Sequence, residues 1–202
     1  MVSGPLILRR GTVDDPLALV LSFVEKYVRA DDRQDSRAMS FDERDLRAAN
    51  RGGARISAIE IAAILDRRGQ IERALHAIPP TASLVAPAGS VPWSALTRLF
   101  DAFADIRGVG FSKMTKALHR KRPALIPILD SVVQAYLADD PEPRTSLAFG
   151  ERATVLVRSY KRDLDRNRDL LAEIGHELAS RGHALSEVRL LDIVIWSFST
   201  GA

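Results

Sequence analysis

The residues best placed to do chemistry are gathered between Ile106 and Asp130. Gly108-Val109-Gly110 separates two helical patterns. Six cations (Arg107, Lys113, Lys116, Arg120, Lys121, Arg122) lie between Arg107 and Arg122 with no acid among them, and Asp130 closes the stretch. Gly108 and Gly110 can take positive φ, or admit another molecule close to the backbone, without a Cβ clash. Amides at the start of the second helix point outward unpaired, and with the helix dipole they favour an anion such as phosphate. These cations give the stretch +6 in a chain of only +3, so all other residues sum to −3. At about 100° per residue, Phe111, Met114, Thr115 and Leu118 share one side of the second helix; Lys113, Lys116 and Arg120 fall within about 60° on the other. One face can pack while the other meets a polyanion. A solvated basic face behind a helix-capping glycine uses the same residues.

Ile106-Arg107-Gly108-Val109-Gly110 and the basic helix after it resemble the helix-hairpin-helix DNA-binding motif. The resemblance extends to the base-excision DNA glycosylase superfamily, in which a proline-containing apolar loop follows the hairpin helix and an Asp opens the next one. Here Pro123, Leu125, Ile126, Pro127, Ile128 and Leu129 lead into Asp130 at that spacing. The resemblance implies that Asp130 assists cleavage of an N-glycosidic bond, stabilising charge on the sugar or positioning water. Bifunctional members carry a Lys nucleophile two residues after the second glycine. Ser112 holds that position here and Lys113 comes one residue later, so lyase chemistry gains no support. The family's hairpin often holds a monovalent cation on its carbonyls, which by resemblance would be those of Ile106, Gly108 and Gly110. About 30 of the 202 residues carry the likeness; the rest looks like a bacterial protein family without assigned function. Asp130 also has a purely structural reading, as the N-cap of a helix beginning at Ser131, worth about 1 kcal/mol.

These residues need a scaffold. A 202-residue chain that is 46% hydrophobic can fill the core of a single helical domain, 1–202, or of two small lobes. With no cysteine it has no disulfide, thiolate zinc site or iron-sulfur cluster. Pro5-Leu6-Ile7-Leu8 is too short for a signal-peptide core, and no run approaches the roughly 20 apolar residues of a membrane span, so a cytoplasmic protein without a membrane partner is expected. Only five of the 29 basic residues are Lys, three of them in the hairpin region; abundant Arg elsewhere says little about nucleic acid.

Asp15-Pro16 starts a helix that Leu17, Val20, Leu21, Val24 and Val28 carry to about Ala30, followed by a charged loop to Ala38. Ser40 with Glu43, and Ser57 with Glu60, have capping-box spacing and open helices closed by Gly52-Gly53 and by Gly69. Ile71, Ala74, Leu75 and Ile78 add a turn or two before Pro79-Pro80, and an irregular segment with a short extended piece at Leu84-Val85 runs to Pro92. The first hairpin helix carries Leu96, Leu99, Phe100, Phe103 and Ile106 on one stripe. Residues 139–150, rich in Asp, Pro and Glu, read as a flexible connection. One long helix is expected from about Glu151 to Arg181, and a buried one, capped by Ser186, from Glu187 to Phe198, in which Asp192 needs a partner such as Arg189. No repeat or convincing β-alternation is present, so the fold class is all-α.

The chain has no phosphate loop, dinucleotide fingerprint, His-Glu-x-x-His or Gly-x-Ser-x-Gly, and its four histidines lack ligand spacing, so no metal site is expected. Three functions remain. The first is backbone binding to DNA without strong sequence preference through Arg107, Gly108, Val109, Gly110, Ser112, Lys113, Lys116 and Arg120. The second is a monofunctional DNA-repair glycosylase that flips a base and uses Asp130, with Trp93, Phe111, Tyr136 and Trp196 available to line a pocket. The third is a helical scaffold or partner-binding protein that keeps the hairpin as a fold element.

Overall fold

A computed structural model describes residues 4–27, 38–138 and 146–201. Two short strands, β1 (Leu6–Leu8) and β2 (Gly11–Val13), precede ten helices: α1 (Pro16–Tyr27), α2 (Glu43–Arg51), α3 (Ala58–Asp66), α4 (Arg68–His76), α5 (Trp93–Asp101), α6 (Phe111–His119), α7 (Ser131–Leu137), α8 (Phe149–Arg166), α9 (Arg168–Ser180) and α10 (Glu187–Thr200). The fold is all-α, with one antiparallel ribbon that pairs Leu6 with Val13 and turns Leu6, Leu8 and Val13 inward. Three-residue strands offer too little alternation to register as β in the sequence.

The organising helix is α10. Leu190, Leu191, Ile193, Val194 and Ile195 are all at most 1% exposed, because α1, α7, α8 and α9 cover it on every side. Each such side chain contributes about 2 kcal/mol by leaving water. Beside it, α5 lies along α8. Gly150 permits the approach: its amide donates to Asp101 Oδ1 at 2.6 Å, and a Cβ there would overlap the Thr97 carbonyl.

Several expected boundaries move. The helix α2 is capped by Asp42, whose carboxylate accepts from Arg44 N while Asp45 answers on the Asp42 amide; Ser40 lies outside. Ser57 and Glu60 do form the box that opens α3. Gly69 sits inside α4 rather than closing α3, which ends at Arg67. Leu84 is in a turn, its amide donating to Ala124 O at 2.8 Å. The first hairpin helix stops at Asp101, and Phe103 and Ile106 are buried from the turns after it. The long helix from 151 to 181 is two, α8 and α9, divided at Asn167. That side chain is 5% exposed and binds both backbone groups of Ile7, at 2.8 and 2.9 Å. The chain breaks there because Asn167 holds the edge of β1. Of the proposed flexible connection, residues 139–145 lie outside the described residues, while Phe149 and Gly150 begin α8.

Candidate functional site

Nine residues join α5 to α6, and the two glycines in them do different things. Gly108 sits at φ +83, the left-handed conformation that favours glycine, and Val109, buried behind it, donates its amide to Ile106 O at 3.0 Å. Gly110 has an ordinary extended backbone (φ −92, ψ −173) as the N-cap of α6, and a Cβ there would meet none of the described residues within 4 Å. Of the two glycines, only Gly108 takes positive φ. Without a side-chain cap, the amides of Gly110, Phe111, Ser112 and Lys113 have no acceptor among the described residues. Of the three carbonyls suggested for a cation, Ile106 O accepts from Val109 N and Gly110 O from Met114 N.

The +6 stretch is not one basic face. Lys113 Nζ lies 2.6 and 2.7 Å from the two carboxylate oxygens of Glu60 on α3. The same carboxylate lies against Gly108, where a Cβ would overlap it. Partial burial would raise the Glu60 pKa, but hydrogen bonds from Lys113 and Ser57 outweigh it and hold it below the usual value. Lys121, 6% exposed, pairs with Asp45 at 2.5 Å. Arg122 is fully buried and donates to the carbonyls of Leu75, Ile78, Ala38 and Lys121, closing the C-terminal end of α4. Lys116, half-buried, donates to Gly53 O at 3.2 Å; desolvation lowers its pKa, with Asp130 opposing and Arg189 and Arg55 adding to the fall. Arg107 is exposed, and Ser112 and Arg120 are half-buried. Lys113, Lys116, Lys121 and Arg122 therefore each serve a group within the fold.

Asp130 is the N-cap of α7, its Oδ1 accepting from Val132 and Val133 at 3.0 Å each. The loop leading to it has no regular structure, yet its backbone is held from several directions. Pro123 O takes Ser186 Oγ (2.7 Å), Ile126 O meets His119 Nδ1 (2.6 Å), Ile128 N donates to Asp192 Oδ2 (3.1 Å), and Leu129 N donates to Thr115 Oγ1 (3.0 Å). His119 must carry its proton on Nδ1 to donate there, and desolvation, helped by Arg189, lowers its pKa to about 4. Asp192 is 3% exposed, and burial raises its pKa to about 7 despite Arg189. The expected Asp192–Arg189 ion pair does not form: Oδ2 serves Ile128, and Oδ1 has no hydrogen-bond partner among the described residues. Arg189 instead lies 5.7 Å from the Phe23 ring centroid.

Trp93, Phe111, Tyr136 and Trp196 each have a packing or hydrogen-bond partner of their own. Trp93 Nε1 donates to Ala88 O, Phe111 packs on Phe149 at 4.8 Å, Tyr136 is buried with its hydroxyl on Arg9 N, and Trp196 meets Phe23 at 5.7 Å. Sequence reasoning missed Glu60 as a neighbour of the hairpin, and it missed Arg152, 5.8 Å above the Phe111 ring, its buried Nε without a hydrogen-bond partner among the described residues. Both come from other helices, and no local pattern marks them. Among the described residues no group of three or more His, Cys, Asp or Glu could hold a metal, and no helix is long and apolar enough to cross a membrane.

The frame is thus that of an all-α domain with an uncapped glycine hairpin at one helix start and a rigidly held Asp at another. Residues 22–199 match the profile of a family of unknown function, DUF6308, and the chain belongs to that family. No match was found among curated proteins or among solved structures.

Proposed function

We propose that the protein binds the sugar-phosphate backbone of DNA without strong sequence preference, using residues 106–113 as a helix-hairpin-helix. Gly110 carries this reading. Its backbone does not need glycine, and space stands open where its Cβ would be. Ser, Asp or Asn would cap α6 as well or better. A glycine there leaves four amides uncovered, an arrangement suited to an approaching phosphate.

Gly110→Asn separates this role from a structural one. Asn should stabilise the fold by a few tenths of a kcal/mol by capping α6. By filling the amides it should cost about tenfold in affinity for a fluorescent duplex, alike for every sequence, if one charge-assisted phosphate contact is lost. Wild-type affinity should fall with salt at a log-log slope of about −0.9 per phosphate neutralised. Unchanged binding by the variant, or a flat salt response, refutes the proposal and leaves a helical scaffold.

One observation favours a second reading, a monofunctional glycosylase acting through Asp130. The loop that carries Asp130 is tied down by Thr115, His119 and Asp192, more fixing than an ordinary helix cap requires. Asp130→Asn preserves the cap, since Asn and Asp rank alike there. Loss of base release with DNA affinity intact would support this reading. Unaltered release would remove it.

A further inference from the structure

The Glu60 carboxylate stands at the mouth of the hairpin, chelated by Lys113 and against Gly108. We propose that Glu60 is an internal competitor for the phosphate: DNA engages the hairpin only when this carboxylate leaves Lys113. The inference rests on the hairpin being the DNA site. An oxyanion is already bound there, supplied by the chain itself, and both it and a phosphate at the hairpin would draw on the Lys113 ammonium. Glu60 can be released without unravelling α3, because Ser57 Oγ continues to accept the Glu60 amide (3.3 Å) whichever way the carboxylate turns. What is lost on release is the return bond from the Ser57 amide to Oε2 (2.8 Å). Occupied by Glu60, Lys113 adds no net positive charge at the hairpin; vacated, it adds one.

Glu60→Gln tests this with little risk to the fold, since Gln satisfies a capping box as Glu does. Binding of a 20-base-pair fluorescent duplex is measured across a salt series for wild type, Glu60→Gln and Glu177→Gln, with urea midpoints recorded for each. Glu177 is paired with Arg181 at the end of α9 and controls for the general gain of one positive charge. Glu60→Gln should bind about tenfold tighter near 0.1 M salt, with a log-log slope steeper by about 0.9, the value for one more phosphate neutralised. Glu177→Gln should change affinity less than about twofold, the effect of one solvent-screened charge that is not paired with Lys113. Binding by Glu60→Gln alone would support the inference most strongly. Wild-type binding that Glu60→Gln does not tighten, or that Glu177→Gln tightens equally, overturns the competitor while leaving the hairpin as a DNA site. No binding by any of the three overturns both.

Discussion

Asp192 and His119 hold the same loop, and their titrations act on stability in opposite senses over nearly the same pH range. The Asp192 carboxyl keeps its proton in the native state to about pH 7, whereas the unfolded chain releases it near the ordinary value of 3.8. Between those values the folded state holds the extra proton. Its contribution is therefore complete below pH 3.8 and is lost as pH rises through 7, a change on the order of 4 kcal/mol at 1.36 kcal/mol per unit. His119 runs the other way. Native His119 titrates at about 4 against 6.5 for an ordinary histidine, so its contribution is complete above 6.5 and is lost as pH falls through 4, on the order of 3 kcal/mol. In wild type the two slopes cancel between pH 4 and 6.5. His119→Asn retains a donor for Ile126 O and removes the imidazole; its stability relative to wild type should fall by roughly 3 kcal/mol from pH 4 to 6.5. Asp192→Asn retains an acceptor for Ile128 N and should gain stability relative to wild type over the same interval. Urea unfolding followed by far-UV circular dichroism at half-unit steps of pH reads both differences. A His119→Asn difference that is flat with pH, or an Asp192→Asn protein less stable than wild type at pH 7.5, would refute the reasoning.

Other substitutions separate packing from function. Arg122→Met should cost about 3 to 5 kcal/mol, read as a lowered urea midpoint, because the carbonyls of Leu75 and Ile78 lose their buried donor. Asp130→Ala should cost about 1 kcal/mol while Asp130→Asn costs less than half of that, as expected when the measured stability role is the cap alone.

The fold was legible where its cause is local. Ser57 and Glu60 three residues apart open α3, Asp130 opens α7, and the apolar residues surrounding α10 require burial on all sides. Each signal lies within a turn or two of the structure it produces. It was illegible where the cause is distant. Nothing near Asn167 says that α8 must end there, because the backbone it binds is that of Ile7, 160 residues earlier. Gly69 looks like a helix end and is not one, since Arg67 closes α3 before it and Gly69 has already entered α4.

The candidate site divides in the same way, and charge makes the point most clearly. Lys113, Lys121 and Arg122 are indistinguishable in sequence from Arg107, since each is a cation in an acid-free run. In the fold, Asp45 neutralises Lys121, the carbonyls ending α4 claim Arg122, and Glu60 claims Lys113. The +6 of residues 107–122 is thus a much smaller charge in space, so steering by bulk charge is a weaker argument for nucleic-acid binding than the count implies. The hairpin's case instead rests on Gly110, with no described residue in its side-chain space, and on Lys113, whose charge a carboxylate from α3 covers. Any DNA binding by this chain would therefore depend less on the number of its cations than on the position of Glu60.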